Sequence, residues 1–404
     1  MRILVSFAAL FLSIIFVQLS SGAMGPLDAL SGVALQFSAA EIGLLGSAHF
    51  IGFFVGCWWA PRILGSVGHG RTFAVFAASG ALGALGHTLT DLAEVWIGLR
   101  ILTGMAVAGS YTVVESWLQA KVTNATRGRA LGAYRLVDIT ASLGAQLMIG
   151  VLEPASYVSY NLLAIFCCLS LLPLALSTAK APDTPRAPRL RPLRAIGLSP
   201  LAAAAVMVSG LTTAAFRMVG PLYAIGEGRN SVEVGYFLAA GLLGGAVAQV
   251  PAGWLADKFD RRRVLLGQSV LSVAACVALS SDLLTGDLGF YGGAFLFGLV
   301  AFPLFSVAAA HANDYAAPTE VVELNAALIF LYACGAVLAP IAAASLIDAF
   351  GPRALFAFIA VAHLVLMLFA LTRMRVRPSP AERTPYTYLP RTSLTLRRLF
   401  KRRG

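Results

Sequence analysis

Ionisable and phenolic side chains interrupt one apolar run at Arg100, Tyr111 and Glu115. At 100° per residue of helix, Tyr111 lies about 20° and Glu115 about 60° from Arg100, so the three share one face. A charge at the bilayer centre costs roughly 2.5–3.5 kcal/mol, which predicts that this face points away from lipid. Two interpretations stay open. Arg100 and Glu115 either extend toward the two membrane surfaces, or they line a polar path with Tyr111.

The next apolar run carries Arg135 and Asp138 at i,i+3, a spacing that permits a local ion pair. Self-neutralisation is one interpretation of the pair. Proton coupling is the other, because Glu115 or Asp138 would exchange a proton if buried enough to titrate near neutral pH. Gln146 follows two turns after Asp138 and is predicted to line a cavity. Gln18 is the strongly polar side chain central to the first run, and we predict that it contacts substrate.

Arg217 lies inside the apolar segment TTAAFRMVGPLYA and has no acidic residue within four positions. We therefore predict that it contacts substrate. Pro221 removes one backbone hydrogen bond nearby and frees a carbonyl. Arg100 is also expected to lack a charge partner, and two unpaired guanidiniums favour an anionic or carbonyl-bearing solute.

Charge is densest in GWLADKFDRRR, from Gly253 to Arg263, directly after a hydrophobic run. Basic residues at a helix end can simply hold the topology of a membrane protein. An acid does not serve that purpose, so Asp257 is expected to face the positive end of another helix. We predict a gating group made of Gly253, Asp257, Arg261, Arg263, His311 and Asp314.

The elements that position these residues are predicted to be membrane-spanning helices. The chain has 404 residues, of which 58% are hydrophobic and only 12% charged, about half the charge usual in soluble domains. Apolar runs long enough to cross a bilayer recur along it. The twelve predicted spans are 4–24, 42–61, 72–90, 95–118, 131–152, 157–178, 200–224, 233–254, 264–281, 289–310, 323–347 and 353–373. The fold class is therefore an all-α polytopic membrane protein.

A Pro- and Arg-rich segment divides the spans into two groups of six. The predicted organisation is an N-terminal six-helix bundle (1–179), a cytoplasmic linker (180–199), a C-terminal six-helix bundle (200–373) and a basic cytoplasmic tail (374–404). With the N-terminus inside, 25 of the 30 Lys and Arg residues fall on the cytoplasmic side. This bias predicts that both termini are cytoplasmic. It also accounts for the net charge of +11 without nucleic acid.

The two groups of six repeat each other at an offset of 192 residues. Glu41-Ile42-Gly43 matches Glu233-Val234-Gly235, Gly52 matches Gly244, and Arg71 matches Arg263 without a gap. The same element at the same place in both halves predicts duplication, and therefore two pseudo-symmetric bundles.

The segment from Gly253 to Arg263 resembles the G-x-L-x-D-[RK]-x-G-[RK]-[RK] signature of the major facilitator superfamily, with Asp260 in place of the usual Gly. Gly65 stands where the first-half copy would have the acid of Asp257. The R-x-x-x-G pattern of the family's fourth helix is also present at Arg100 and Gly104. The resemblance implies that helices one, four, seven and ten line a central cavity. It also implies that Asp257 latches the halves together near the start of helix five, around Arg127.

These observations predict a secondary transporter that moves a small organic solute across a bacterial inner membrane by alternating access, with protons as a candidate coupling ion. The alternative is a transporter-derived sensor or scaffold that binds a ligand without moving it. No HExxH, GxSxG or paired-carboxylate motif indicates an enzyme, and no cysteine or histidine spacing indicates a metal or cofactor. The expected partners are the solute, protons and membrane lipid, with no nucleic acid and a monomeric state.

Overall fold

The computed structural model describes residues 2–122, 127–176, 190–281, 284–317 and 320–376, with backbone only for residues 2–6 and 127–128. All regular secondary structure in these ranges is helical, which confirms the predicted fold class. The described residues separate into two compact units, one up to residue 176 and the other from residue 190 onward, so the division falls within residues 177–189.

The first unit contains six long helices. They are α1 (Arg2–Ala34), α2 (Ala39–Val67), α3 (His69–Gly86), α4 (Ala93–Lys121), α5 (Arg127–Met148) and α6 (Tyr157–Ala175), with a 3₁₀ turn (His87–Leu89) after α3. α1 packs against α5 and α6, α2 against α4, and α3 against α4 and α6.

The second unit repeats this order after a short helix. Its helices are α7 (Pro192–Leu198), α8 (Pro200–Gly226), α9 (Ser231–Lys258), α10 (Arg261–Ser280), α11 (Gly286–Ala301), α12 (Leu304–Asn313), α13 (Val321–Phe350) and α14 (Ala354–Val376). α8 packs against α13, α9 against α11, and α10 against α14. These are the counterparts of the α1–α5, α2–α4 and α3–α6 pairs.

Eleven helical segments of the described residues are long and apolar enough to cross a membrane. α11 and α12 together form one of them, Gly286–Asn313. α5 takes the remaining place in the first unit. It carries four charged residues, Arg127, Arg129, Arg135 and Asp138, and is not among those eleven segments. With α5, each unit has six spans, as predicted.

The repeat extends to how the helices begin. Ser38 and Glu41 form a capping box at the start of α2, in which each side chain accepts the backbone N–H of the other residue. Asn230 and Glu233 form the same box at the start of α9, at the 192-residue offset. Both boxes fix where the second helix of a unit begins.

Glycines set the closest helix contacts at matching places in both units. A Cβ built on Gly104 of α4 would lie 2.0 Å from the carbonyl oxygen of His49 on α2. A Cβ on Gly298 of α11 would lie 1.8 Å from the carbonyl oxygen of Gly241 on α9, and position 241 is 192 residues after position 49. Small residues that let two backbones touch are the usual basis of helix packing in membranes.

Three details differ from the predicted spans. α1 does not end at residue 24 but continues to Ala34 through Pro26, which membrane helices tolerate. The predicted span 289–310 is broken at Phe302 and Pro303 into α11 and α12. Part of the predicted linker forms α7, where Arg194 pairs with Glu320 and Arg191 lies 3.8 Å from Glu323. The rest of the linker up to residue 189, and the tail beyond residue 376, lie outside the described residues.

Candidate functional site

A buried polar network joins α1, α4 and α5 within the first unit. The Tyr111 hydroxyl lies 2.9 Å from Oε1 of Gln18 and 2.7 Å from Oδ1 of Asp138. Nη1 of Arg135 lies 3.4 Å from Oδ2 of Asp138, so the predicted i,i+3 ion pair is present. Nη2 of Arg135 also lies 3.8 Å from Oε1 of Glu115. We call these five residues the Tyr111 network.

The described side chains of the Tyr111 network include two carboxylates and one guanidinium. Their formal charge is −1 when both acids are ionised. The Glu115 side chain is 4% exposed and its Oε1 accepts a hydrogen bond from the Tyr134 hydroxyl at 3.2 Å, whereas the Asp138 side chain is 15% exposed. Two carboxylates of different exposure therefore lie near one arginine in this network.

A second buried cluster, the Asp28 cluster, joins α1 and α4 to α6 and the 3₁₀ turn. Nε of Arg100 on α4 is 3.1 Å from Oδ2 of Asp28 on α1, and both side chains are 2% exposed. The Tyr160 hydroxyl of α6 donates to Oδ1 of Asp28 at 2.9 Å, and Nε2 of His87 is 3.8 Å from Oδ2. The Tyr160 and His87 rings are stacked with centroids 5.1 Å apart.

Asp28 corrects two predictions about Arg100. Arg100 was expected to lack a charge partner, or else to extend to the membrane surface, but it is 1% exposed and paired with a buried acid. The acid was missed because the predicted first span ended at residue 24. The apolar residues Leu27, Ala29 and Leu30 around Asp28 were the signal that the helix continues.

The two clusters occupy different depths of the first unit. Ten residues separate Gln18 from Asp28, and eleven separate Arg100 from Tyr111, which correspond to about 15 and 16 Å of helix. Arg100 and Tyr111 therefore share a face, as predicted, but not a site. A cavity of about 390 Å³, including the part open to the surroundings, lies between them, and its polar lining includes Ser20, Ser21, His49, Arg100, Thr103, Ser110 and Ser170.

The Gln146 side chain, which was predicted to line a cavity, forms a hydrogen bond between two helices. Its Nε2 donates to the carbonyl oxygen of Gly22 at 3.0 Å, and the residue is 4% exposed. This bond ties α5 to α1 one turn from Gln18.

In the second unit, Arg261 holds three helix ends together. Its Nη1 donates to Oδ1 of Asp314 at 2.5 Å and to the carbonyl oxygen of Ala310 at 2.9 Å. Its Nε donates to the carbonyl oxygen of Ala256, and its Nη2 to Oδ1 of Asp257 at 3.3 Å. The guanidinium thus caps the last turns of α9 and α12 from the start of α10.

The structure brings together only part of the predicted gating group. Asp257, Arg261 and Asp314 form the ion-paired node just described, and Gly253 is buried one turn before Asp257. The Arg263 side chain is exposed and is not part of it, and His311 packs instead against Tyr315 with ring centroids 5.3 Å apart. The expected contact of Asp257 near Arg127 remains a prediction, because the side chains of Arg127 and Gly128 lie outside the described ones.

Asp260, which stands where the family signature has Gly, has a clear structural role. Its Oδ1 accepts the backbone N–H of Arg262 at 3.0 Å and thereby caps α10. Its Oδ2 also pairs with Nη2 of Arg262 at 2.7 Å. Asp260, in place of the signature Gly, therefore stabilises the start of α10 by capping it.

Arg217 is half-buried on α8 and makes no hydrogen bond or ion pair with any residue that the structure describes. Pro221 has no N–H, so the carbonyl oxygen four residues earlier, that of Arg217 itself, lacks its usual helix donor. Position 217 therefore offers both a cation and an unsatisfied backbone acceptor. No group of three or more His, Cys, Asp or Glu among the described residues could hold a metal ion.

Twelve apolar spans in two repeated units define an integral membrane protein. A family model described as Major Facilitator Superfamily matches residues 202–404, and the chain belongs to that superfamily. It is therefore a secondary transporter and not an enzyme.

Relatives in sequence extend the similarity to nearly the whole chain. A protein of Yersinia enterocolitica described as an uncharacterized MFS-type transporter is 26% identical over 353 residues, which cover 87% of this chain and 90% of that protein. A protein of Enterobacter with the same description is 26% identical over 342 residues, which cover 84% of this chain and 88% of that protein.

Solved structures share the fold. The nucleoside transporter NupG matches with a TM-score of 0.75 and 13% identity, covering 93% of this chain and all of that one (100%). A bacterial homologue of the human lysosomal transporter Spinster matches with a TM-score of 0.75 and 15% identity, covering 93% and 99%. A D-xylose–proton symporter matches with a TM-score of 0.68 and 14% identity, covering 93% and 98%.

Proposed function

We propose that this protein couples transport of a small organic solute to proton movement across the inner membrane of a bacterium, with both termini in the cytoplasm. The observation that carries the proposal is the Tyr111 network, in which the buried Glu115 and the partly buried Asp138 share one arginine. The distribution of Lys and Arg along the chain supports the orientation of the termini.

The Tyr111 hydroxyl gives the network two hydrogen-bond directions. A phenol has one hydrogen, so Tyr111 donates either to Asp138 or to Gln18, although both oxygens are within reach. When Asp138 is ionised, Tyr111 donates to it, and Gln18 must turn its NH₂ group toward the phenol oxygen. When Asp138 is protonated, the acid donates to the phenol, and Tyr111 donates to Oε1 of Gln18. Protonation of Asp138 on α5 therefore reverses the direction of the hydrogen bond between Tyr111 and Gln18 of α1.

Asp138 suits proton exchange better than Glu115. Its side chain is more exposed, 15% against 4%, so a proton reaches it with less rearrangement. It is also bonded directly to Tyr111, whereas Glu115 accepts from Tyr134.

Arg217 is the proposed substrate contact. An arginine without an ion-pair partner among the described residues, half-buried in an apolar helix, is balanced by an anionic or carbonyl oxygen of a bound solute. The nucleoside and pentose transporters of similar fold support a polar organic solute as the class of substrate.

The test is transport by the purified protein in liposomes. The candidate solutes are small carboxylates, nucleosides and pentoses, and the readouts are counterflow of labelled solute and alkalinisation or acidification of a trapped pH dye. Asp138→Asn mimics the protonated acid, so we expect it to keep counterflow and to lose uptake driven by a pH gradient. Glu94→Gln, an exposed acid on α4, is the matched control and should keep both. Gradient-driven uptake by Asp138→Asn would contradict the proton role.

Arg217→Gln tests the substrate contact independently. We expect it to lower the apparent affinity for an anionic solute at least tenfold, since a charged hydrogen bond in a buried site contributes about 1.5–3 kcal/mol. Unchanged counterflow by this variant would remove Arg217 from the site.

The alternative function, a sensor that binds a ligand without moving it, rests on one asymmetry between the units. Gly65 and His69 occupy the positions of Asp257 and Arg261, 192 residues earlier, so the first unit has no counterpart of the charged node. Nε2 of His69 lies 3.2 Å from the Ser116 hydroxyl instead. Ligand-dependent thermal stabilisation without counterflow would favour the sensor.

A further inference from the structure

A cavity at one end of the second unit brings together four helix ends. Its space, about 270 Å³ including the part open to the surroundings, is bounded by the start of α8, the start of α10, the end of α12 and the last turn of α14. The lining residues are Ser199, Pro200, Leu201, Arg262, His311, Tyr315 and Arg373. It lies outside the Arg261 node and contains no residue assigned above to the substrate or to protons.

The start of α8 presents unused hydrogen-bond donors to this cavity. Pro200 is the first helical residue, and the first helical hydrogen bond runs from Ala203 N–H to the carbonyl oxygen of Ser199. The N–H groups of Leu201 and Ala202 precede that bond and have no acceptor within the helix. The helix of 27 residues also directs the positive end of its dipole here.

Ser199 is the independent sign of a ligand. The residue is 2% exposed and its hydroxyl has no hydrogen-bond partner. At the same position in α9, by contrast, Asn230 caps its own helix with its side chain, as Ser38 does in α2. A buried hydroxyl without a partner is costly, and it lies against a cavity that has room for an acceptor.

The charge of the lining is positive. Arg262 is paired with the Asp260 carboxylate, so these two side chains balance each other. Arg373 lines the cavity from α14 and makes no hydrogen bond or ion pair with a residue that the structure describes. The lining with Asp260 thus carries one net positive charge. A half-buried guanidinium, a buried hydroxyl and backbone N–H groups around one small space fit an oxyanion.

We propose that this cavity binds a phosphate group through Arg373, the Ser199 hydroxyl and the first N–H groups of α8. The phosphate belongs to an anionic lipid headgroup or to a soluble phosphate compound. The predicted topology supports either source, because it assigns these helix ends to the cytoplasmic surface, where anionic lipid and soluble phosphate are both present. Occupation would link α8 to α14 and stabilise the second unit.

The first arm of the test uses inorganic phosphate and the full-length protein in a zwitterionic detergent. Phosphate, compared with chloride at equal ionic strength, should raise the unfolding temperature and slow amide exchange at residues 199–203. Arg373→Gln should weaken phosphate binding at least tenfold, and Ser199→Ala should weaken it severalfold. Arg375→Gln, an exposed arginine two residues further along, is the matched control and should bind like the wild type.

The second arm uses nanodiscs of phosphatidylcholine with or without phosphatidylglycerol, and native mass spectrometry to count retained anionic lipid. If anionic lipid is lost from Arg373→Gln and kept by Arg375→Gln, the phosphate belongs to a lipid headgroup. Binding of inorganic phosphate without such retention assigns it to a soluble compound. Both results support the pocket. The proposal is overturned if the wild type binds neither probe, or if the two arginine variants behave alike in both arms.

Discussion

Removing the Asp28 carboxylate should destabilise the first unit, because it takes away the acid that balances Arg100. The two charges are 3.1 Å apart and nearly inaccessible to water. At an effective dielectric constant of about 20, that separation gives an attraction of about 5 kcal/mol. Breaking a buried pair by removing one partner costs about 3–5 kcal/mol in proteins, so we expect Asp28→Asn to lower the free energy of unfolding by that amount.

The assay is reversible unfolding in mixed detergent micelles, followed by tryptophan fluorescence. Asp91→Asn, an exposed acid after the 3₁₀ turn, is the control and should change stability by less than about 0.5 kcal/mol. The double variant Asp28→Asn/Arg100→Gln should recover part of the loss, since it removes the buried cation together with the acid that pairs with it. The pairing argument would be refuted if the two single effects simply add, within about 0.5 kcal/mol.

Three further predictions concern stability. Gly298→Ala should destabilise the protein by about 1–3 kcal/mol because its Cβ would meet the backbone of α9. Gly292→Ala on the same helix, where a Cβ meets nothing within 4 Å, should be neutral or stabilising. Unfolding in micelles compares the two variants, and equal effects would contradict the close contact of α11 with α9. Asn230→Ala should cost about 1 kcal/mol and raise amide exchange in the first turn of α9, and unchanged exchange would contradict the cap. Arg261→Lys should destabilise the second unit although the charge is kept, because an ammonium cannot bond Asp314 and the backbone carbonyls at once. Stability equal to that of the wild type would contradict this role of the guanidinium.

The repeated architecture was accessible from the sequence because it is encoded locally. The 192-residue offset matched Glu41 with Glu233, and the structure places both in capping boxes. The same offset relates the carbonyls that Gly104 and Gly298 contact. Helix starts and small-residue contacts depend on short stretches of chain, so pattern and spacing suffice to find them.

The candidate site was only partly accessible, because depth and partner choice depend on packing. Angular position on α4 correctly grouped Arg100 with Tyr111, but their separation along the helix assigns them to different clusters. Asp28 was missed because the predicted first span ended at residue 24, whereas α1 continues to Ala34. The partner of Arg100 comes from another helix, 72 positions away in the chain, and no spacing rule connects the two.

Difference infrared spectroscopy on the purified protein in lipid tests the central claim most directly, because it observes protonation of a buried carboxyl group. On acidification, the wild type should show the stretching band of a protonated carboxyl that is lost in Asp138→Asn and shifted in Tyr111→Phe, since Tyr111 is its hydrogen-bond partner. A band that persists unchanged in both variants would show that the proton binds elsewhere and would contradict the account.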